Sequence, residues 1–433
     1  MSSQRSTPEA GFARLRQTEI YIQGVGGRRP RVPTDMQRLE AAAESRMNPE
    51  AYAYIAGGAG SESTMRANRA AFERWRIRPR MMHDVSERDT TVEILGRTWP
   101  SPFMLAPIGV LEMAHRDADL AVARACAAEA TGYIFSNQAS VAMERTAAAM
   151  GEAPKWFQLY WSTSDELAAS FVSRAEACGC EAIVVTLDTT LLGWRCRDLD
   201  YGYLPFLQGR GIAQYTSDPV FRRMMAEDQP EPPVSPPVNA RSIATLLAQA
   251  RRFPGRMLDN LKSGRGRASV QTFINTYSRP SLTWEDIPRL REMTRLPVLL
   301  KGITDPADAA RAVDEGVDGL IVSNHGGRQV DGALATLDAL PSIVRRVGGQ
   351  IPVLMDSGVR TGADIFKAIA LGADAVLLGR PYCYGLALDG EAGVQAVIRN
   401  LRADFELTMA LAGCREVGAI GPNRLVETRE AHE

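Results

Sequence analysis

Ile351–Pro381 reads IPVLMDSGVRTGADIFKAIALGADAVLLGRP. Two short apolar runs, one from Ile351 and one from Asp374, flank a segment in which Phe366, Ile369 and Ala373 recur at helical spacing. Strands that are apolar along their whole length are buried on both faces, which is the habit of a parallel sheet wrapped by helices. The same alternation runs outward through the chain. Strand candidates begin at Pro102 (PFMLAPIG), Tyr133 (YIFSN), Lys155 (KWFQLYW), Glu181 (EAIVVTLD), Leu296 (LPVLLKG) and Gly319 (GLIVSN), making eight with the two already quoted. Leu167, Phe171 and Ala175 mark one intervening helix, and Asp305 before Pro306 marks the start of another, with a capping carboxylate and a proline whose missing N–H is harmless there. A doubly wound open sheet shares this alternation, but eight units favour an α/β fold closed as a (β/α)8 TIM barrel.

A chain of 433 residues fits one such domain with additions. Residues 1–100 read as an N-terminal helical cap, with two helical segments around AYAYIAGGAG, and 101–415 as the barrel. The spacing breaks once, after strand four. There the 200–280 insertion, with QPEPPVSPP at Gln229–Pro237, reads as a long loop holding a helix or two that covers the catalytic face.

Lys plus Arg is 50 and Asp plus Glu 51, so no positive field holds nucleic acid or anionic lipid. The six cysteines lack the spacing of a metal site, and no metal is expected. The N-terminus lacks a signal-peptide core and no stretch is apolar enough to span a bilayer, so the expected location is cytoplasmic, with a small-molecule partner.

Chemistry in a packed barrel collects where strands end. Strand one ends at Ala106, Pro107 and Ile108; strand two at Ser136, Asn137 and Gln138; strand three carries Gln158 and Tyr160, and strand four Thr186 and Asp188. Strand five ends at Lys301, strand six at Ser323, Asn324 and His325, strand seven at Asp356, and strand eight at Gly379 and Arg380. Polar groups on nearly every end point to a functional rim. The turn DSGVRTG brings Ser357, Gly358 and Arg360 to a helix start, and LGRP adds Gly379 and Arg380 beside it. Glycines admit a phosphate close to backbone N–H groups, and guanidinium clamps its oxygens. With neither a Rossmann fingerprint nor a P-loop present, a phosphate-bearing cofactor across the barrel mouth is expected.

SNHGGRQ on strand six, with FQLY, TLDT, LLKG, DSGVRTGAD and LGRP in order from about Tyr52 to Gly413, resembles the FMN-dependent L-2-hydroxyacid oxidases and dehydrogenases, the glycolate oxidase and lactate oxidase family. EIYIQGVGG, APIGV, GWRCRDL and LPFLQGRGIAQYTSDPVF are most similar to its lactate 2-monooxygenase branch. The resemblance implies FMN as cofactor and His325 as proton acceptor, with Asp188 as its carboxylate partner. It implies Arg195 and Arg328 as the clamp on the substrate carboxylate, Tyr54 and Tyr160 as two substrate-facing phenols, and Lys301 beside flavin N1 and O2. Ala106, Pro107, Ile108, Ser136, Gln158, Thr186 and Ser323 would meet the flavin; Asp356, Ser357, Gly358, Arg360, Gly379 and Arg380 would meet its phosphate. The implied reaction is L-lactate plus O2 to acetate, CO2 and water, in a homotetramer or homo-octamer. A 2-hydroxyacid oxidase releasing the 2-oxo acid and H2O2 is the near alternative, and a non-redox FMN isomerase or a non-catalytic flavin-binding protein the remote ones. Plant glycolate oxidases carry tryptophan where this chain has Gln138, which leaves the 2-hydroxy acid itself undecided.

Overall fold

A computed structural model describes residues 11–227 and 237–428. Eight parallel strands close into a barrel in chain order: β1 (Phe103–Leu105), β2 (Tyr133–Phe135), β3 (Lys155–Leu159), β4 (Ile183–Thr186), β5 (Val298–Ile303), β6 (Gly319–Val322), β7 (Val353–Met355) and β8 (Ala375–Leu378), which pairs back to β1. Each coincides with an apolar run read from the sequence. Alternate side chains along these strands belong to two separate cores. Met104, Ile134, Trp156, Val184, Leu299, Ile321, Leu354 and Leu377 fill the barrel, while their neighbours pack outward against the helices. An antiparallel hairpin, Val92–Ile94 with Arg97–Trp99, plugs the barrel's N-terminal end, its Trp99 ring 5.5 Å from that of Trp156. The opposite end is left for polar residues.

Register decides which of those residues meet. Thr186 pairs with Lys301 across β4 and β5, Lys301 with Ile321 across β5 and β6, and Met355 with Val322 across β7 and β6. The residues one or two beyond these pairs therefore emerge at one level. The helix start at Asp305 is present, its carboxylate accepting from the Ala307 N–H at 2.7 Å. The helix between β7 and β8 stops at Ala370, and Ala373 is buried beyond it.

The cap holds four helices among its described residues where two segments were expected: Phe12–Val25, Met36–Arg46, Pro49–Ala56 and Ser63–Glu73. AYAYIA is itself helical, started by the Asn48 cap and Pro49 and ended at Gly57. Two polar clasps fasten this cap to the β6 turn. Asn68 and Asn324 exchange reciprocal amide bonds of 2.9 and 2.8 Å in the interior. The Asp331 carboxylate accepts from the N–H and hydroxyl of both Ser61 and Ser63.

The insertion is more ordered than expected. After a short helix at Cys196–Asp200 it contains helices at Ala213–Thr216, Pro219–Met224, Ala240–Arg252, Met257–Ser263 and Arg265–Thr276. Asp218 and Asn239 cap two of them, and Tyr215 joins them through edge contacts to Phe221 and Phe273 at 5.4 and 4.9 Å. Gln229–Pro236 of QPEPPVSPP lies outside the described residues. Among the described residues no helix is long and apolar enough to cross a membrane.

Gly327 shows how tightly the turn is seated. Its φ is +75°, and a Cβ there would sit 2.7 Å from the Met65 nitrogen in the cap. Gly332 has φ +79° with nothing within 4 Å of a Cβ. Gly327→Ala is expected to cost about 1–3 kcal/mol more than Gly332→Ala in thermal unfolding, because only the first adds a backbone clash to the strain that both share. Equal losses would contradict the seating.

Candidate active site

The polar strand ends line a cavity of about 270 Å³ at the C-terminal mouth of the barrel. The His325 side chain reaches it from the turn after β6, with backbone φ +56°, a left-handed conformation that non-glycine residues rarely adopt. Such strain is tolerated where surrounding bonds fix it. Here the His325 N–H donates to Ser323 Oγ at 3.1 Å, and that oxygen also accepts from Lys301 Nζ at 2.8 Å. Lys301 Nζ lies 3.0 Å from Asp356 Oδ2, whose other oxygen accepts from Ser357 Oγ at 2.8 Å. Ser357, also left-handed at φ +75°, accepts from the Gly326 N–H at 2.9 Å and so returns to the turn. The ends of β5, β6 and β7 are one closed hydrogen-bonded ring.

His325 Nδ1 is 2.8 Å from Asp188 Oδ1 at the end of β4, and Thr189 Oγ1 donates to the same oxygen at 2.9 Å. With Nδ1 protonated toward the carboxylate, Nε2 is the basic nitrogen. Burial, helped by Lys301 and Arg195, holds the His325 pKa below its usual value against the opposing pull of Asp188, so the imidazole is neutral near pH 7. Burial works against the Asp188 charge, yet His325 and Lys301 outweigh it and keep the carboxyl below the usual carboxylate range. Burial likewise opposes the Lys301 charge, and Asp356 and Asp188 overcome it. Tyr160, pushed up to about 12 by burial and by Asp188, stays a neutral phenol.

Four arginines complete the lining: Arg195, Arg328, Arg360 and Arg380. Among the described residues none of them forms an ion pair; their guanidinium nitrogens donate instead to backbone carbonyls and one amide. Arg328 Nη1 donates to the carbonyls of Tyr54 and Gly57 at 2.6 and 2.8 Å. Arg380 is held by the carbonyls of Ile55, Gly326 and Gly57. The guanidiniums of Arg328 and Arg195 lie 5.1 and 5.9 Å from the centre of the Tyr54 ring. Burial, then Arg195, pulls Arg328 down to about 9; burial, then Arg380, pulls Arg360 down to about 10. Asp198 offsets part of the charge of Arg195 and Arg328 from a distance, but buried like charges without a direct ion pair are a standing cost that a bound anion reduces. The four fall into two pairs, Arg195 with Arg328 and Arg360 with Arg380, so the cavity suits two anionic groups.

The structure thus gathers Tyr54, Ala106, Pro107, Ile108, Tyr160, Lys301, His325, Asp356, Ser357, Gly358, Gly379 and the four arginines on one cavity. Five expected residues do not line it. Asp188 stands behind His325, and Ser323 sits under Lys301. Ser136, Gln158 and Thr186 form a buried chain, Ser136 Oγ to Gln158 Oε1 at 3.1 Å and Gln158 Nε2 to Thr186 Oγ1 at 2.9 Å, in the layer below. The insertion covers this face as expected, through residues the sequence reading did not name, Leu204, Phe206, Phe273, Ile274 and Tyr277, and Thr189 on the histidine is a further unnamed contributor. Phe273 and Tyr277 lie one helical turn apart with rings stacked at 5.1 Å, a spacing that was available in the sequence.

Residues 43–427 match the family described as FMN-dependent dehydrogenase. The chain belongs to the FMN-dependent α-hydroxy acid oxidase and dehydrogenase family. It is 40% identical to an L-lactate oxidase of Lysinibacillus sphaericus over 94% of this chain and 96% of that one. It is 42% identical to the FMN-dependent alpha-hydroxy acid dehydrogenase qulF of Penicillium citrinum, over 93% and 92%. A solved mandelate oxidase with (S)-4-hydroxymandelic acid superposes with TM-score 0.75 at 35% identity, covering 91% of this chain and 98% of the other. The enzyme is an FMN-dependent oxidoreductase acting on 2-hydroxy acids. Its residues fit that cofactor: the unpaired Arg360 and Arg380 beside the Gly358 and Gly379 backbone suit the phosphate, and the Ala106–Ile108 edge and Lys301 leave a wall for a ring.

Each charged hydrogen bond to a phosphate is worth about 1.5–3 kcal/mol. Arg380→Met is therefore expected to weaken FMN binding about 10- to 100-fold in equilibrium titration of the apoprotein, with riboflavin affinity nearly unchanged. Equal losses for both flavins would contradict the pairing of Arg380 with the phosphate.

Proposed function

We propose that this chain oxidises a short L-2-hydroxy acid, with L-lactate as its simplest fit, and passes the electrons to O2. The observation that carries the reading is the convergence of an ion-pair-free Arg195–Arg328 couple and the His325–Asp188 pair on one cavity. The two guanidiniums hold the substrate carboxylate, a fork geometry that lysine does not match. With the carboxylate held, the 2-hydroxyl faces Nε2 of neutral His325, which takes its proton; Asp188 then stabilises the imidazolium without accepting the proton itself. Tyr160, a neutral phenol, donates to the substrate oxygen, and Tyr54 supports both arginines. FMN, which Arg360 and Arg380 would hold by its phosphate, would supply the two-electron acceptor for C2 and the route to O2. Lys301 contributes a fixed positive charge where negative charge arrives.

Gln138 supports a short substrate. Its side chain lines the cavity and finds no hydrogen-bond partner among the described residues, and a bulky apolar substituent would cover that amide without satisfying it. L-lactate oxidases among the relatives agree with this size.

The roof from the insertion favours a second stage. Leu204, Phe206 and Phe273 line the cavity from the insertion side, and a roof that closes during turnover retains the 2-oxo acid with the peroxide formed beside it. Peroxide then converts pyruvate to acetate, CO2 and water, the lactate 2-monooxygenase outcome.

Anaerobic L-lactate is expected to bleach the flavin, and aerobic turnover to yield acetate and CO2 with little free H2O2. Pyruvate and H2O2 in equal yield would replace the retention stage by simple oxidase release. No bleaching by L-lactate, glycolate or mandelate would contradict the substrate assignment.

A further inference from the structure

Gln329 directly follows the clamp residue Arg328, and its carboxamide makes four hydrogen bonds to the segment that follows β4. Oε1 accepts from Arg195 Nη2 at 3.1 Å and from the Gly193 N–H at 3.3 Å. Nε2 donates to the Asp188 carbonyl at 2.7 Å and to the Leu191 carbonyl at 2.8 Å. Both donors and both acceptor sites of the amide are filled, so its orientation is set by its neighbours. The segment it grips, Asp188 to Arg195, carries the histidine's carboxylate at one end and half of the carboxylate clamp at the other. Three exposed apolar residues between them, Leu191, Leu192 and Trp194, give that segment little packing of its own. Gly193 is pressed so closely under the turn that a Cβ would lie 2.9 Å from the Gln329 Cα. Arg195 Nε also donates to the Arg328 carbonyl at 3.3 Å.

We propose that Gln329 is a positioning residue that sets the two functions of the site in register, fixing Arg195 for the substrate carboxylate through Oε1 and the Asp188 backbone behind His325 through Nε2. The proposal rests on the reading of Arg195 and His325 given above. A carboxamide serves both ends because it alone of the side chains that fit offers an acceptor edge and a donor edge at the same reach. Glutamate keeps the acceptor edge, adds a charge that draws Arg195 to itself, and loses the donor edge. Methionine keeps the volume and loses both.

The test compares Gln329→Met and Gln329→Glu with the parent holoenzyme by anaerobic flavin reduction with L-lactate, by binding of oxalate followed through the flavin spectrum, and by thermal unfolding. Both variants are expected to retain FMN and a cooperative melt. In Gln329→Met the limiting reduction rate should fall at least tenfold and the oxalate Kd rise a few-fold. In Gln329→Glu the oxalate Kd should rise at least tenfold beyond that of the methionine variant, although glutamate is closer in shape to glutamine. Oxalate Kd and reduction rate both within twofold of the parent would overturn the proposal. So would equal oxalate affinities in the two variants, or loss of FMN and of the melt in both, which would reduce Gln329 to a role in the fold. If L-lactate fails to reduce the parent, the oxalate series still reads the clamp, and that failure counts against the substrate assignment alone.

Discussion

Burial of positive charge at one end of the barrel is the constraint on which the rest of the structure depends. Lys301, Arg195, Arg328, Arg360 and Arg380 converge on one cavity, and among the described residues only Lys301 forms an ion pair. A fold can hold such groups only by giving each a rigid set of neutral acceptors. The cap supplies them: the carbonyls of Tyr54, Ile55 and Gly57 at the end of one short helix hold both Arg328 and Arg380. The cap is thus a structural wall of the site, and the clasps at Asn68 and Asp331 hold that wall against the β6 turn. The charge left uncompensated is the affinity for phosphate and carboxylate.

Within that field a histidine stays neutral. Positive neighbours and burial depress the His325 pKa while Asp188 opposes them, so the base is unprotonated near neutrality and its conjugate acid has a partner waiting. The closed ring through Ser323, Lys301, Asp356 and Ser357 keeps the left-handed backbone of His325 and Ser357 in place. Electrostatics and geometry are therefore set by the same residues. Lys301 is the clearest case, being at once a charge on the cavity wall and a strut between β5, β6 and β7.

The barrel was legible because strands buried on both faces are written as unbroken apolar runs, and their polar ends stand out by contrast. The turns DSGVRTG and LGRP stood out for a similar reason, since each is local, and the structure brings Arg360 and Arg380 to the same cavity. What was harder to read depends on distant partners. The insertion looked like a charged loop because its helices hide their apolar faces against one another, Tyr215 against Phe221 and Phe273, and no short window shows that pairing. The Pro49–Ala56 helix is eight residues of mostly alanine and tyrosine ahead of glycines, a composition with weak periodicity. Ser136, Gln158 and Thr186 also bond to one another, a chain that adjacent parallel strands create and that no local motif announces. Gln329 was in view within SNHGGRQ, but its four partners lie more than a hundred residues earlier, and nothing in the motif indicates them.

The central claim is that His325, oriented by Asp188, is the group that accepts the substrate proton. Anaerobic mixing of L-lactate with the FMN-loaded His325→Gln variant tests it most directly, because glutamine keeps a polar side chain of similar reach and cannot take up the proton. The account predicts a yellow enzyme whose flavin stays oxidised, with reduction slowed at least about 100-fold. Reduction of that variant at the parental rate would contradict it.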